Sequence, residues 1–198
     1  IWVGGKTRSR KKIVDSFPKK FNRYFEPFIG GGSIFMEFAY DKAYLSDSNP
    51  QLINCYKTVK KYPTKLVKEV NKIFDSYNNR KTLETKKKYY YQLRKEYNER
   101  ILKNPTFKSA VLFVFLGRAG FNGLYRVNKK GSYNTPFGQH MTLRKLCFKK
   151  KEPSNCIDMY ELHKYLNNPN VKIEQGDYMN ILKLVRKKNI YLNIYYIL

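Results

Sequence analysis

Two features of the chain could do chemistry on a small ligand. Phe28-Ile29-Gly30-Gly31-Gly32-Ser33 places three glycines between a short aromatic run and an apolar stretch with helical spacing. Glycines there permit positive φ and let a ligand come close to the backbone. The helix that follows offers N–H groups without intrahelical partners. Asp47 closes the next apolar run, where a carboxylate can accept hydrogen bonds from both hydroxyls of a ribose. Loop and acid together read as a pocket for a nucleoside-bearing cofactor. Gly30 and Gly32 fit the G-x-G-x-x-G fingerprint, but Phe35 stands at the third glycine, and no Lys-Ser or Lys-Thr closes the loop as in a P-loop. The pattern therefore points away from a nucleotide phosphate and towards an adenosyl cofactor without one. The alternative is a plain tight turn in which Ser33 caps the helix.

These residues need elements to hold them. Residues 24–28 read as a strand, 34–40 as a helix and 43–46 as a second strand closed by Asp47. Asn49 and Pro50 suit the N-cap and first position of a helix whose apolar face is Leu52, Ile53 and Tyr56. Strand, glycine turn, helix, strand, acid and helix form the opening of a doubly wound parallel sheet. From about Tyr62 to Leu116 the chain reads as helices, clearest over 82–102, where Leu93, Tyr97 and Ile101 recur at helical spacing. Residues 117–138 carry Gly, Asn, Pro and aromatics, which suggests loops and a hairpin turning at 129–132. A helix over 158–166, a strand over 171–174, a helix capped by Asp177 and a last strand over 190–192 resume the sheet pattern. The simplest architecture is an α/β domain made of residues 1–60 and 157–198, split by a largely helical insertion over 61–156.

Composition narrows the partners. Lys plus Arg number 40 against 15 Asp plus Glu, a net charge of +25 in 198 residues. Such a chain attracts polyanions, so nucleic acid is the expected partner, with a merely solvated Lys-rich surface as the alternative. The 42% hydrophobic content supplies a core. No run approaches the ~18 apolar residues of a membrane span. Cys55, Cys147 and Cys156 form neither a disulfide scaffold nor a zinc motif, and His140 and His163 are too far apart to complete a metal site. A monomeric, intracellular protein in a reducing, cytoplasmic compartment is expected, with no metal and no membrane association. Ile1 in place of Met reads as a start inside a larger frame.

Four motifs occur in order: Trp2-Val3-Gly4-Gly5-Lys6, Phe28 to Ser33, Leu45-Ser46-Asp47-Ser48-Asn49 with Leu52, and Phe121-Asn122-Gly123-Leu124-Tyr125-Arg126-Val127-Asn128 with Gly131, Asn134 and Pro136-Phe137-Gly138. The whole resembles the Dam-type, D12 class DNA adenine-N6 methyltransferases. The resemblance implies a Rossmann-like methyltransferase sheet interrupted by a helical DNA-recognition insertion with a hairpin. It implies S-adenosylmethionine as methyl donor and a flipped adenine in double-stranded DNA as acceptor. It places Trp2, Lys6, Phe28, Gly30, Gly32, Ser33, Asp47, Asp177 and Asn193 at the cofactor, and Gly176-Asp177-Tyr178 beside the cofactor's adenine. It gives base reading to Asn122, Leu124, Arg126, Asn134 and Pro136, and places His140 near the recognition hairpin. Arg126 could offer two N–H groups to guanine O6 and N7, or contact a phosphate instead. Asn122 and Asn134 could equally be turn residues, Trp2 a core anchor and Lys6 a surface lysine.

The family's catalytic D-P-P-Y follows a short apolar strand. Here the matching slots are Asn193-Ile194-Tyr195-Tyr196. By resemblance the side chain of Asn193 and the carbonyl of Ile194 would hold the target amine, and Tyr196 would stack on the flipped base. An amide replaces the acid and both prolines are gone, which frees a loop the family keeps rigid. Family members also continue beyond the motif, whereas this sequence stops at Leu198. A fragment or a degraded gene is expected, and a catalytically inactive DNA-binding remnant stands as the alternative to an active enzyme. Restriction–modification, viral and host-regulatory roles all fit the same residues.

Overall fold

Four parallel strands carry the glycine loop and Asp47. The computed structural model describes residues 8–101, 104–148, 156–185 and 190–192. Helix α1 (Arg10–Asp15) leads into β1 (Arg23–Glu26), α2 (Ser33–Phe38), β2 (Ala43–Asp47) and α3 (Pro50–Lys61). Helices α4 (Pro63–Asn78), α5 (Leu83–Ile101) and α6 (Phe107–Ala119) follow, then a short 3₁₀ turn over Phe121–Gly123. Strands β3 (Leu146–Cys147) and β4 (Ile157–Asp158) form a small parallel pair of their own. Helix α7 (Tyr160–Leu166), β5 (Val171–Gln175), α8 (Tyr178–Leu184) and β6 (Ile190–Leu192) complete the described chain.

The main sheet has the order β5-β2-β1-β6, with every pairing parallel. The chain steps outward from β1 to β2 and β5, then returns to the other side of β1 as β6. That reversal creates a crevice beyond the carboxyl ends of the strands, where open α/β sheets bind ligands. The fold is thus mixed α/β with a parallel sheet, consistent with a methyltransferase. The glycine loop leaves β1, Asp47 ends β2 and Gly176 follows β5, so all three meet at that edge.

Local chemistry explains the helix starts. Asn49 Oδ1 accepts from the N–H groups of Gln51 and Leu52 at 3.0 and 3.2 Å, with Pro50 at the first helical position. Thr106 and Ser109 exchange side-chain and backbone bonds in a capping box that starts α6. Helix α6 buries residues on several faces, including Val111, Leu112, Phe115 and Leu116. It is the hub against which α3, α4 and α5 pack. One cluster of buried side chains runs from Tyr24 and Leu45 on the sheet through Val70, Phe74 and Phe115 to Tyr133 and Phe137.

Residues 120–138 fold back on themselves, with antiparallel bridges at Gly120↔Phe137 and Val127↔Tyr133. The turn at 129–132 is closed by Gly131 N–H to Asn128 O at 2.9 Å. Gly138 is required by close approach: a Cβ there would lie 2.6 Å from the Gly120 carbonyl oxygen.

One expectation about the cysteines is corrected. Cys147 and Cys156 are joined as a disulfide, with Cα atoms 5.8 Å apart. The spacing in sequence hides this. Leu146 and Cys147 lie opposite Ile157 and Asp158 in the β3–β4 register, which brings Cys156, just before β4, within reach of Cys147. Cys55 stays a thiol, and burial pushes its pKa up to about 12.

Candidate functional site

The crevice is stitched by main-chain bonds and one carboxylate. Ile29 N–H donates to Ser46 O and Gly176 N–H to Asp47 O, each at 3.1 Å. Asp47 Oδ2 accepts from Gly30 N–H at 3.0 Å, and its Oδ1 from Asn49 N–H at 2.9 Å. A carboxylate has about four lone-pair sites, so two remain for hydroxyl donors of a ligand. The half-buried Asp47 therefore organises the loop and still has acceptors to present.

The loop is clamped from its other side by a residue with no motif signature. Tyr56 on α3 donates its hydroxyl to Gly30 O at 2.9 Å. Gly30 and Gly32 take φ of 46° and 76°. A Cβ on Gly32 would come within 2.8 Å of the Phe35 ring and the Tyr56 hydroxyl. Phe35 is fully buried and packs edge-on against Tyr56, with centroids 5.7 Å apart. The aromatic at the fingerprint's third glycine thus fills space beneath the loop. Gly32, not Ser33, is the N-cap of α2, and no side chain caps that helix.

Glu26, at the end of β1, lies directly under this arrangement. It is 4% exposed and accepts from Tyr24 Oη at 2.7 Å. Burial pushes its carboxyl up to about 8, against the pull of the Tyr24 hydroxyl and the Phe35 N–H, with the charge of Asp47 adding to the rise. Two aromatic rings stand open above the strand ends. Phe28 is 44% and Tyr178 40% exposed, with centroids 5.6 Å apart. Exposed aromatic rings at the mouth of a crevice suit a flat ring system. Asp177 accepts from Met179 N–H at 2.8 Å and caps α8.

A cleft of about 410 Å³ is lined by Gly31 and Ser33 of the loop end and by Gly123, Leu124 and Tyr125 of the folded-back segment. Leu52, Tyr97, Phe113 and Arg118 line it too. The side chain of Tyr125 neighbours those of Tyr97 and of Asn49, two residues after Asp47. The loop end and the folded-back segment are therefore neighbours. Partial burial and the like charge of Arg144 lower the pKa of Arg118.

The residues expected to read bases lie on the folded-back segment. Asn122 is exposed, in the 3₁₀ turn, with φ of 50°, a turn conformation that Asn tolerates. Arg126 is exposed, and its Nε donates to Asn134 Oδ1 at 2.9 Å. Leu124 is half-buried, and its carbonyl accepts from Tyr133 Oη at 3.1 Å and Thr135 Oγ1 at 2.9 Å. Pro136 is exposed, with its carbonyl accepting from Phe121 N–H at 2.9 Å. His140 is exposed, and its carbonyl accepts from the Tyr77 hydroxyl. Trp2, Lys6, Asn193, Ile194 and Tyr196 lie outside the described residues. Tyr56, Glu26 and Arg118 escaped sequence reasoning as site residues and carry no motif signal; Tyr178 is the aromatic that the resemblance expects beside the cofactor's adenine, after Gly176-Asp177.

Residues 2–193 match the family described as D12 class N6 adenine-specific DNA methyltransferase. The chain belongs to that D12 class. A type II methyltransferase of Lactococcus lactis subsp. cremoris is 37% identical over 186 residues, covering 92% of this chain and 59% of that protein. A type II methyltransferase of Methanocaldococcus jannaschii is 34% identical over 148 residues, covering 70% of this chain and 51% of that protein. A DNA adenine methylase of Haemophilus influenzae is 36% identical over 143 residues, covering 71% and 46%. The D12 chain thus spans about half the length of these relatives. Among its described residues no group of three His, Cys, Asp or Glu side chains could hold a metal, and no helix is long and apolar enough to cross a membrane.

Proposed function

We propose that this D12 chain transfers a methyl group from S-adenosylmethionine to N6 of an adenine flipped out of duplex DNA. The observation that carries the reading is the cleft lined by both the glycine loop and the folded-back segment. Cofactor and base can meet only if their two binding regions share a cavity. The names of the relatives, type II methyltransferase and DNA adenine methylase, support the same chemistry.

The residues fit the cofactor. Asp47 retains acceptors for ribose hydroxyls, Phe28 and Tyr178 offer ring faces for an adenine, and side-chain-free Gly30–Gly32 leaves room for the methionyl end. Trp2, Lys6, Ser33 and Asp177 are assigned there by resemblance. Bound there, the cofactor supplies a methyl on a sulfonium, a group activated without a metal. The protein's task is then to hold a weakly nucleophilic amine in line and exclude water. Asn193, Ile194 and Tyr196 are proposed for that grip. Arg126, with Asn122, Leu124, Asn134, Pro136 and His140, is proposed to read the flanking bases. The high positive charge holds the phosphates, so affinity falls steeply with salt. In this reading residues 61–156 form the recognition insertion and 1–60 with 157–198 the cofactor part. The setting is intracellular and on DNA.

The test is transfer of labelled methyl from S-adenosylmethionine to unmethylated duplex DNA at low salt. Label recovered as N6-methyladenine is expected. A folded sample that binds both cofactor and DNA yet transfers nothing overturns the reading.

A further inference from the structure

A strand is normally placed by the strand beside it. Residues 133–135 have one such neighbour, at the Val127↔Tyr133 bridge. Side chains of helix α5 also hold them. Asn98 Nδ2 donates to Tyr133 O at 3.1 Å, and Asn98 Oδ1 accepts from Tyr133 N–H at 2.8 Å. A primary amide has the donor and acceptor of a peptide group, so Asn98 substitutes for a missing strand. One and two turns earlier on the same helix face, Arg94 Nη1 and Tyr90 Oη both donate to Thr135 O, each at 2.9 Å.

Between these two anchored residues sits Asn134. Its N–H donates to Arg126 O and its Oδ1 accepts from Arg126 Nε, both at 2.9 Å, and its carbonyl lies 3.4 Å from Arg126 Nη2. The side-on edge of the guanidinium is therefore occupied. The end-on edge, with one N–H from each Nη, makes no hydrogen bond among the described residues. That edge has the two-pronged geometry that matches guanine O6 and N7.

We propose that Asn98 is a positioning residue for base recognition: it fixes the backbone of Tyr133, so that Asn134 meets Arg126 and aims the end-on edge of its guanidinium into the major groove. The proposal rests on the reading of Arg126 as a base reader. Asn98 touches no DNA. It sets one angle of approach, so its loss blurs one base position and leaves the phosphate contacts alone.

The test is selection of bound duplexes from a random-sequence pool by the purified chain, at fixed salt, followed by sequencing. The chain should enrich a consensus containing a guanine that Arg126→Ala no longer prefers. Asn98→Ala should weaken preference at that same position about tenfold, with other positions and the salt dependence unchanged. The double variant should be no flatter there than Arg126→Ala alone. Asn98→Asp, which keeps the acceptor for Tyr133 N–H and loses the donor, should fall between. If Asn98→Ala loses cooperative melting, Asn134→Ala breaks the last link without disturbing α5 and should show the same single-position loss. Asn98→Ala with undiminished preference at that guanine, or with all positions weakened equally, overturns the proposal. An unmodified chain that enriches no consensus overturns the base-reading premise, and the proposal with it.

Discussion

The strand ends and the folded-back segment are built by different means. At the strand ends, backbone groups bond to backbone groups across the sheet edge, and one short side chain, Asp47, closes the remaining gap. Few parts are involved, and apart from the Tyr56 hydroxyl on α3 they are close to a strand terminus. Around residues 120–147 there is little sheet, and side chains from two helices do the holding. Asn71 and Asn78, about two turns apart on α4, each form a two-bond amide pair with an extended residue, Leu146 and Leu143. Asn98 does the same from α5. Buried Lys86 donates to Tyr77 O and Asn78 O, satisfying carbonyls at the end of α4. A sheet edge serves a ligand of fixed shape. A segment hung from side chains can vary its length and sequence while the helices that hold it stay the same.

The largest effect expected concerns the first region. Glu26 keeps its proton to about pH 8 when folded, against a usual value of 4.5. The native chain therefore holds a proton that the unfolded chain releases between those values. The associated stability is complete below about pH 4.5 and is lost as pH rises through 8. Glu26→Gln should remove that loss. The difference in unfolding free energy between the two proteins should grow to about 4 kcal/mol by pH 8, measured by urea unfolding across pH. A constant difference would mean that burial does not govern this carboxyl.

Next in size is Asp47→Ala, which removes the acceptor for Gly30 and Asn49 as well as for a ribose. Calorimetry should show affinity for S-adenosylmethionine reduced about 100-fold, with affinity for DNA within twofold of the parent. Equal losses for both ligands would dissolve the distinction between the two regions. The smallest effect is expected from Asn71→Ala. Leaving the Leu146 N–H and C=O unpaired should cost about 2 kcal/mol of stability. Cofactor affinity should be unchanged, since α4 does not reach the strand ends.

The same contrast explains what could be read in the sequence. The strands, the Asn49-Pro50 helix start, the glycine loop, Asp47 and the Asp177 cap are local patterns, written within a few residues. The amide pairs join residues 35 to 75 positions apart, and an exposed-looking Asn on a helix carries no mark of such a partner. Tyr56 read as one more apolar residue of α3 because its ring does pack inward against Phe35, and only its hydroxyl serves the loop. Glu26 stood in a strand with nothing to reveal that it is covered. The disulfide was missed because two cysteines without a regular spacing become neighbours only through the β3–β4 register.

Gly30 is held on both sides of its Cα, by Asp47 through the N–H and by Tyr56 through the carbonyl. This part of the loop is thus ordered before any ligand arrives, and Gly30 needs no closure of its own between collision and capture. Cofactor association should proceed in a single kinetic phase whose rate rises linearly with concentration. Analogues that differ in affinity should then differ in how long they stay, and hardly in how fast they enter.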